Sequence, residues 1–404
     1  MSSKTKKEGK GMKYKRIFLI VLDSLGIGGA KDAQEYGDLG TNTLQALLNA
    51  KEELQISNLE GLGLGSLGNF NGLYRVSQQL AYSTRLHEIS NGKDTMTGHF
   101  ELMGLKTQVP FVTFTETGFP EEFISLFEEK TGRKCIGNIA SSGTEILEQY
   151  GEHQMKTGDW IVYTSADSVF QIAAHEDIIP LEELYEACKI AREIAMKDEW
   201  KVGRIIARPY VGSGVGAFKR TSNRHDWALE PFGETVLDSL KEANYDVIGV
   251  GKIPDIFCDR GITKKVSSVS NEDGMNKTIE LVNEDFTGLV FTNLVDFDAN
   301  YGHRRDPLGY AEALERFDVQ LHDLMAQLHT DDLLMLTADH GNDPTHRGTD
   351  HTRECVPLLL YSKKHMAPKA LDDHTCFALV GATIAENFNV KLPSIGQSIL
   401  GQLK

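Results

Sequence analysis

Leu333-Leu-Met-Leu-Thr-Ala-Asp-His340 is an apolar run that ends abruptly in two metal-type side chains, and it has two counterparts in the chain. Ile17-Phe-Leu-Ile-Val-Leu22 runs into Asp23, and Leu289-Val-Phe-Thr-Asn-Leu-Val295 runs into Asp296 and Asp298. Short apolar runs bounded by polar turns read as strands buried on both faces, as in parallel sheets. In an open α/β sheet, ligands gather in the crevice outside the carboxyl ends of the strands. The three runs therefore predict one sheet edge to which separate stretches deliver Asp and His. His303, five residues after Asp298, and His351, twelve after Asp339, bring the set to enough O and N donors for two divalent ions. Any one of these aspartates is equally natural as a strand-end turn or helix N-cap. All of them together are hard to explain that way, and the chain reads as a two-metal enzyme.

Outward from these runs, the chain alternates between strand-like and helix-like pieces. After the first strand comes Ser24-Leu-Gly-Ile-Gly-Gly29, a turn, and then a helix through Leu44–Leu48 that Thr41 or Asn42 would cap. Gly63, Gly65 and Gly68 satisfy a dinucleotide-type spacing. They follow no strand and open no clear helix, so NAD binding is rejected. The region from about 110 to 228 changes character, with strand-like Asp159–Thr164 and Arg204–Val211 and helical Pro120–Lys130 and Leu181–Met196. It lies between the first metal-type Asp and the later two clusters. The expected architecture is an inserted α+β cap domain, 110–228, in a discontinuous α/β core formed by 13–109 and 229–404, after a disordered extension, 1–12. Beyond the cap, Val236–Ala243 reads as helix and Asp246–Val250 as strand.

A length of 404 residues suits two domains, and 40% hydrophobic with 25% charged residues is ordinary for a globular protein. The net charge of −16 argues against nucleic-acid binding and against a basic membrane-binding surface. An anionic substrate must then be attracted locally, by bound metals and a few placed Arg or Lys. No apolar stretch approaches the ~20 residues needed to span a bilayer. The first sixteen residues hold seven Lys or Arg but lead into no apolar core of signal-peptide length. Five widely spaced cysteines, none in a Cys-x-x-Cys pair, indicate a reducing compartment without a thiolate metal site. A cytoplasmic location is expected.

Asp and His are hard to borderline ligands suited to Mg²⁺, Mn²⁺ or Zn²⁺. Two such ions about 3.5–4 Å apart form the clamp used in phosphoryl displacement. The best source of a nucleophile is Asn91-Gly-Lys-Asp-Thr-Met-Thr-Gly-His99, which opens an apparent helix Thr97–Leu105 whose amides can bind phosphate. Thr95 and Thr97 are both hydroxyl candidates, and the segment is equally readable as an N-cap box with Thr97 as the cap. The residues alone do not choose between them. Asp296 reads as a supporting or capping residue, and His99, His346 and Asp343 as hydrogen-bonding support rather than ligands.

Asp23 after its strand, Gly92-Lys-Asp-Thr-Met-Thr-Gly-His99, Asp298-Ala-Asn-Tyr-Gly-His303-Arg-Arg-Asp306 and Thr337-Ala-Asp-His-Gly-Asn-Asp343 through His351-Thr-Arg-Glu-Cys-Val-Pro357 together resemble the phosphopentomutase family of the alkaline phosphatase superfamily. The resemblance runs from about residue 13 to the C-terminus, and its motifs are long and ordered. It implies an alkaline-phosphatase-like core with a mostly parallel sheet and helices on both faces. It further implies that Thr95 is phosphorylated during turnover. One metal would be held by Asp23, Asp339, His340 and the Thr95 oxygen, the other by Asp298, His303 and His351. The implied reaction moves phosphate between the C1 and C5 oxygens of ribose or 2-deoxyribose through a sugar bisphosphate. Two Mn²⁺, or Mg²⁺ or Zn²⁺, would serve as cofactors, and glucose 1,6-bisphosphate as activator. Asp167 is then a candidate to accept from sugar hydroxyls. Arg204, Arg208, Arg220 and Lys252 are candidates for the distal phosphate, each equally readable as a solvated surface group. A cofactor-independent phosphoglycerate mutase-like enzyme is the nearest rival, although that family uses serine. A plain phosphatase and a non-catalytic metal-binding protein complete the alternatives.

Overall fold

A computed structural model describes residues 12–165, 168–373 and 376–404. The chain divides into two compact units, one formed by residues 1–108 and 231–404 and the other by Val109–Glu230. Among the described residues, the first unit is built on a seven-stranded sheet. Its order is Lys264–Val266, Asp246–Val250, Gly288–Leu294, Arg16–Leu22, Asp332–Thr337, Val356–Tyr361 and Tyr82–Leu86. The first five are parallel, and Val356–Tyr361 alone runs against both its neighbours. Arg16–Leu22 is buried along its whole length between the two other apolar runs. Burial of that kind contributes about 1.5–3 kcal/mol per large aliphatic side chain.

Register is pinned at the amino end of the sheet. Arg16 lies opposite Asp332, and its Nε and Nη2 donate to the two Asp332 carboxylate oxygens at 2.8 and 2.7 Å. Its Nη1 donates to the carbonyls of Val282 and Glu284. A slip by one residue would strand this buried pair and exchange the side chains packed on the two faces.

Helices cover both faces, as alternation along Gly288–Leu294 makes plain. On one face the Thr292 hydroxyl meets Thr278 of the helix Asn271–Leu281 at 2.8 Å. That helix packs on the long helix Pro307–Gln327. On the other face Phe291 stacks on His99 and contacts Phe257. The α/β class and the helix-covered, mostly parallel sheet expected from the sequence are those of the structure. All five cysteines are free, and no helix of the described residues is long and apolar enough to cross a membrane.

The second unit is a mixed sheet in the order Cys135–Ala140, Trp160–Thr164, Val169–His175, Arg204–Val211 and Lys219–Arg220, with His225–Ala228 also paired to Arg204–Val211. One face packs on the helices Glu121–Thr131 and Leu181–Ile194 around Phe119, Phe123, Phe127, Trp160, Phe170 and Trp200. Several of these rings meet edge to face, an arrangement that adds to area burial. The other face packs Ile161, Tyr163, Ala173 and Tyr210 on the helix Glu145–Thr157.

Candidate metal centre

The topology brings five chain segments to one edge. Gly288–Leu294, Arg16–Leu22 and Asp332–Thr337 end there and release Asp298, Asp23 and Asp339-His340. Val356–Tyr361 is reversed, so it begins at that edge and the residues before it, His351 to Cys355, arrive there. Tyr82–Leu86 runs with the parallel strands and releases the segment leading to Thr95.

Asp23 is 1% exposed and anchored on one side only. Its Oδ2 accepts from Asn293 Nδ2 at 2.9 Å, and its carbonyl accepts from the buried Tyr310 hydroxyl. Asp339 accepts from the Ser24 amide through Oδ1 at 3.1 Å. Of their remaining oxygens, Asp23 Oδ1 is buried without a hydrogen-bond partner among the described residues, and Asp339 Oδ2 is buried with only the His99 Nδ1 proton, shared with the Thr95 carbonyl, near it. Both face His340 Nε2, at 3.5 and 3.3 Å. His340 Nδ1 lies 3.0 Å from the Gly341 carbonyl and must carry the proton there, which leaves Nε2 as a lone pair. In the neighbouring cluster His303 Nδ1 is 2.7 Å from the Thr349 carbonyl, so its Nε2 lone pair points at Asp298 Oδ2, 3.0 Å away. His351 Nε2 lies 3.5 Å from Asp298 Oδ1 and 3.1 Å from His303 Nε2. Asn342 Nδ2 donates to Asp298 Oδ1 at 2.8 Å and orients the carboxylate between the two imidazoles.

Among the described residues, donor atoms thus converge in two overlapping groups: Asp298, His303 and His351, and Asp23, Asp298 and His340. Asp298 belongs to both, and Asp339 borders the second through His340. The electrostatics call for positive charge. Burial, with the charges of Asp339 and Asp298, pushes the Asp23 carboxyl well above the ordinary carboxylate range. Burial also pushes Asp298 up, but the positive charge that His303 and His351 carry when protonated outweighs it and holds that carboxyl well below. Orphaned buried oxygens facing imidazole lone pairs are what a divalent cation with O and N ligands would satisfy. The residues fit such an ion.

Thr95 opens the helix Thr95–Leu102, and its Oγ1 lies 3.2 Å from His340 Nε2. The expected helix Thr97–Leu105 with a Thr97 cap is corrected here: the cap is Asp94. The Asp94 carboxylate accepts the amides of Met96 and Thr97 at 3.1 Å each and the Thr97 hydroxyl at 2.6 Å. A carboxylate that satisfies two orphan amides at once displaces a hydroxyl cap. Thr97 is therefore fully buried and engaged, whereas the Thr95 hydroxyl faces the cluster. The helix docks through Gly98, where a Cβ would come within 2.1 Å of the Asp339 carbonyl oxygen. His99 is buried beside it, with Nδ1 2.8 Å from the Thr95 carbonyl and 3.1 Å from Asp339 Oδ2.

The other residues singled out from sequence are scattered. Asp296 exchanges two hydrogen bonds with Asn271 at the start of the helix Asn271–Leu281. Asp343 accepts from the Asn42 amide, and His346 lies 3.8 Å from Asp38. Lys252 follows the strand Asp246–Val250, at the same edge of the first sheet as the candidate ligands. Arg204 and Arg208 share one face of the second unit's sheet. Arg208 Nε donates to Gln171 at 2.9 Å, while Arg204 is 3.9 Å from Asp226. Arg220 lies on the edge strand. Burial and the neighbouring Arg224 push the Arg208 guanidinium down to about 10. Asp167 lies outside the described residues. The sequence reading missed Asn293, Tyr310, Asn342, Arg353 and Glu354, all buried around the cluster. The available signal was polar side chains inside otherwise apolar or ligand-bearing stretches.

A sequence profile described as the Metalloenzyme superfamily matches residues 15–392. The chain is 56% identical over 395 residues to a phosphopentomutase of Clostridium tetani, covering 97% of this chain and 99% of that one. It is 55% identical over 393 residues to a phosphopentomutase of Clostridium perfringens, again covering 97% and 99%. Among solved structures, a phosphoglycerate mutase of Leishmania mexicana is 13% identical, with 96% of this chain and 98% of that one covered and a TM-score of 0.46.

Proposed function

The chain belongs to the phosphopentomutase family, hence is an isomerase that works by phosphoryl transfer, and from that premise we propose its substrates, acceptor and metals. It interconverts ribose 1-phosphate, or 2-deoxyribose 1-phosphate, and the corresponding 5-phosphate in the cytoplasm, with Thr95 as the transient phosphate carrier. The observation that carries this reading is the Thr95 hydroxyl, 3.2 Å from His340 Nε2 at the edge of the Asp and His cluster, while Thr97 is held by Asp94. Asp23, Asp339 and His340 with the Thr95 oxygen would hold one divalent ion, and Asp298, His303 and His351 the other; Mn²⁺ is the first choice, then Mg²⁺ or Zn²⁺. When bound, the pair supplies Lewis-acid polarisation of the phosphoryl group and lowers the pKa of the Thr95 hydroxyl.

The chain's own residues account for the rest. Phosphate on Thr95 sits at the amino end of an eight-residue helix, where the dipole favours a dianion. In the first half-reaction a sugar hydroxyl oxygen bonds to phosphorus as the Thr95 Oγ–P bond breaks, giving a sugar bisphosphate. In the second, Thr95 Oγ takes the other phosphate, and the proton lost from the first sugar oxygen is made up at the second. Glucose 1,6-bisphosphate primes the cycle by the same second step. Arg204, Arg208 and Arg220 are assigned to the phosphate not in transfer, Asp167 to sugar hydroxyls, and Lys252 to an additional phosphate contact. The inserted unit is assigned the exclusion of water, since hydrolysis of phospho-Thr95 would abort the cycle.

Phosphorus NMR of the metal-loaded enzyme with ribose 1-phosphate tests the reading: the 5-phosphate resonance is expected to grow. Free phosphate alone would make the chain a phosphatase. Thr95→Ala is expected to lower turnover by about 10³-fold or more, with Thr97→Ala much milder. Mass spectrometry after glucose 1,6-bisphosphate treatment is expected to place one phosphate on Thr95, and phosphate on Thr97 would move the acceptor.

A further inference from the structure

Arg353 lies two residues after His351, is 3% exposed, and uses every N–H of its guanidinium. Nε and Nη2 donate to the Asp32 carboxylate at 3.1 and 2.8 Å. The second Nη2 proton goes to the Glu88 carbonyl at 2.9 Å. Nη1 donates to the Glu88 carboxylate and to the Gly92 carbonyl, the latter at 2.6 Å. The guanidinium lies over the Tyr36 ring, 4.9 Å from its centre, and the Tyr36 hydroxyl accepts from the Gly92 amide at 3.2 Å. Gly92 is thus held through its carbonyl and its amide at φ +153°, where a Cβ would lie 2.8 Å from Thr97 Oγ1. The Arg353 amide donates to Asp38 at 2.8 Å, and the same carboxylate takes Lys93 Nζ at 3.0 Å. One side chain therefore joins three segments: the loop after the first strand, the backbone three to seven residues before Thr95, and the stretch carrying His351.

We propose that Arg353 is a positioning residue that fixes the Glu88–Gly92 backbone to the His351 stretch and so holds the Thr95 hydroxyl in register with His340. The inference rests on the reading of Thr95 as phosphoryl acceptor. Fold stability is a weak reason for such a group, because buried ion networks are often no better than apolar packing. What it does supply is geometry: two of its five bonds go to carbonyls of the acceptor segment. Lysine keeps the charge but has no planar fork and cannot reach three segments at once.

The test uses the full-length, metal-loaded protein. Wild type, Arg353→Lys and Arg353→Gly are treated with glucose 1,6-bisphosphate, and phosphate on the Thr95 peptide is followed by mass spectrometry. Metal content, amide exchange over residues 88–97 and the KM for ribose 1-phosphate are measured alongside. Arg353→Lys is expected to keep its metals and a KM within about twofold, exchange faster over 88–97, and phosphorylate about 10–100-fold more slowly. Millimolar methylguanidinium is expected to restore at least about tenfold to Arg353→Gly and nothing to Arg353→Lys. A Lys variant phosphorylated at the wild-type rate overturns the inference, as does a slow one whose metals are lost. Should Arg353→Gly not fold, the rate and exchange of the Lys variant decide alone. If wild-type Thr95 takes up no phosphate, the proposed function fails, and unchanged exchange in Arg353→Lys then overturns the positioning role separately.

Discussion

Glu354 shows how far a single side chain can be pressed at this edge. It is 2% exposed and accepts from the Gly28 and Thr43 amides and from the Thr43 and Thr352 hydroxyls. Burial nonetheless outweighs these donors and pushes its carboxyl up to about 7, from an ordinary 4.5. A carboxyl whose folded pKa is raised contributes stability that is fully present below 4.5 and lost as the pH rises through about 7. Glu354→Gln removes that titration. The unfolding free energy of wild type relative to Glu354→Gln is therefore expected to fall by about 3 kcal/mol between pH 4 and pH 8. Denaturant melts of both proteins across that range check it, and parallel pH profiles would refute it. The same scale explains why Thr95 and Thr97 were indistinguishable in the sequence. They differ in what their hydroxyls meet, Asp94 for Thr97 and His340 for Thr95, a fact of three-dimensional placement.

At the scale of elements, the helix Thr95–Leu102 depends on a missing side chain. A methyl at Gly98 would meet the Asp339 carbonyl at 2.1 Å and its carbon at 2.8 Å, both backbone atoms that cannot swing aside. Gly98→Ala is expected to push the helix off its seat. It should destabilise by about 1–3 kcal/mol and slow Thr95 phosphorylation by about 10²-fold, read by melting and by mass spectrometry. An Ala variant at full rate would mean that the contact is not needed. The strands were legible because burial on both faces leaves continuous apolar runs, and the runs read as Ile17–Leu22 and Leu333–Ala338 fall within a residue of the strands Arg16–Leu22 and Asp332–Thr337. The start of the helix Thr95–Leu102 was not, since Asp94 and Thr97 are both good caps and only packing selects one. Asn293 and Arg353 stayed hidden because their partners, Asp23 and Gly92, are 270 and 261 residues away.

At the scale of the whole molecule, the two units carry separate reporters. All three tryptophans, Trp160, Trp200 and Trp227, lie in Val109–Glu230, whereas the candidate ligands lie in the other unit. An ion bound only by the native core stabilises it by about 3–4 kcal/mol at 100–1,000 times its dissociation constant. Chelation is expected to abolish turnover and lower the calorimetric transition of the core, while the tryptophan fluorescence transition stays in place. Mn²⁺ add-back should restore both. Full turnover in excess chelator, with no metal by elemental analysis, would end the two-metal reading. The central place of Arg16–Leu22 has a consequence for synthesis. One of its two neighbours, Asp332–Thr337, begins 310 residues after Leu22. At ~5–20 residues per second the ribosome takes on the order of 15–60 s to supply it. Throughout that interval Ile17-Phe-Leu-Ile-Val-Leu22, a β-prone and uncharged hexapeptide, is without its second pairing edge. The innermost strand of the finished enzyme is thus open to mispairing for most of the chain's synthesis.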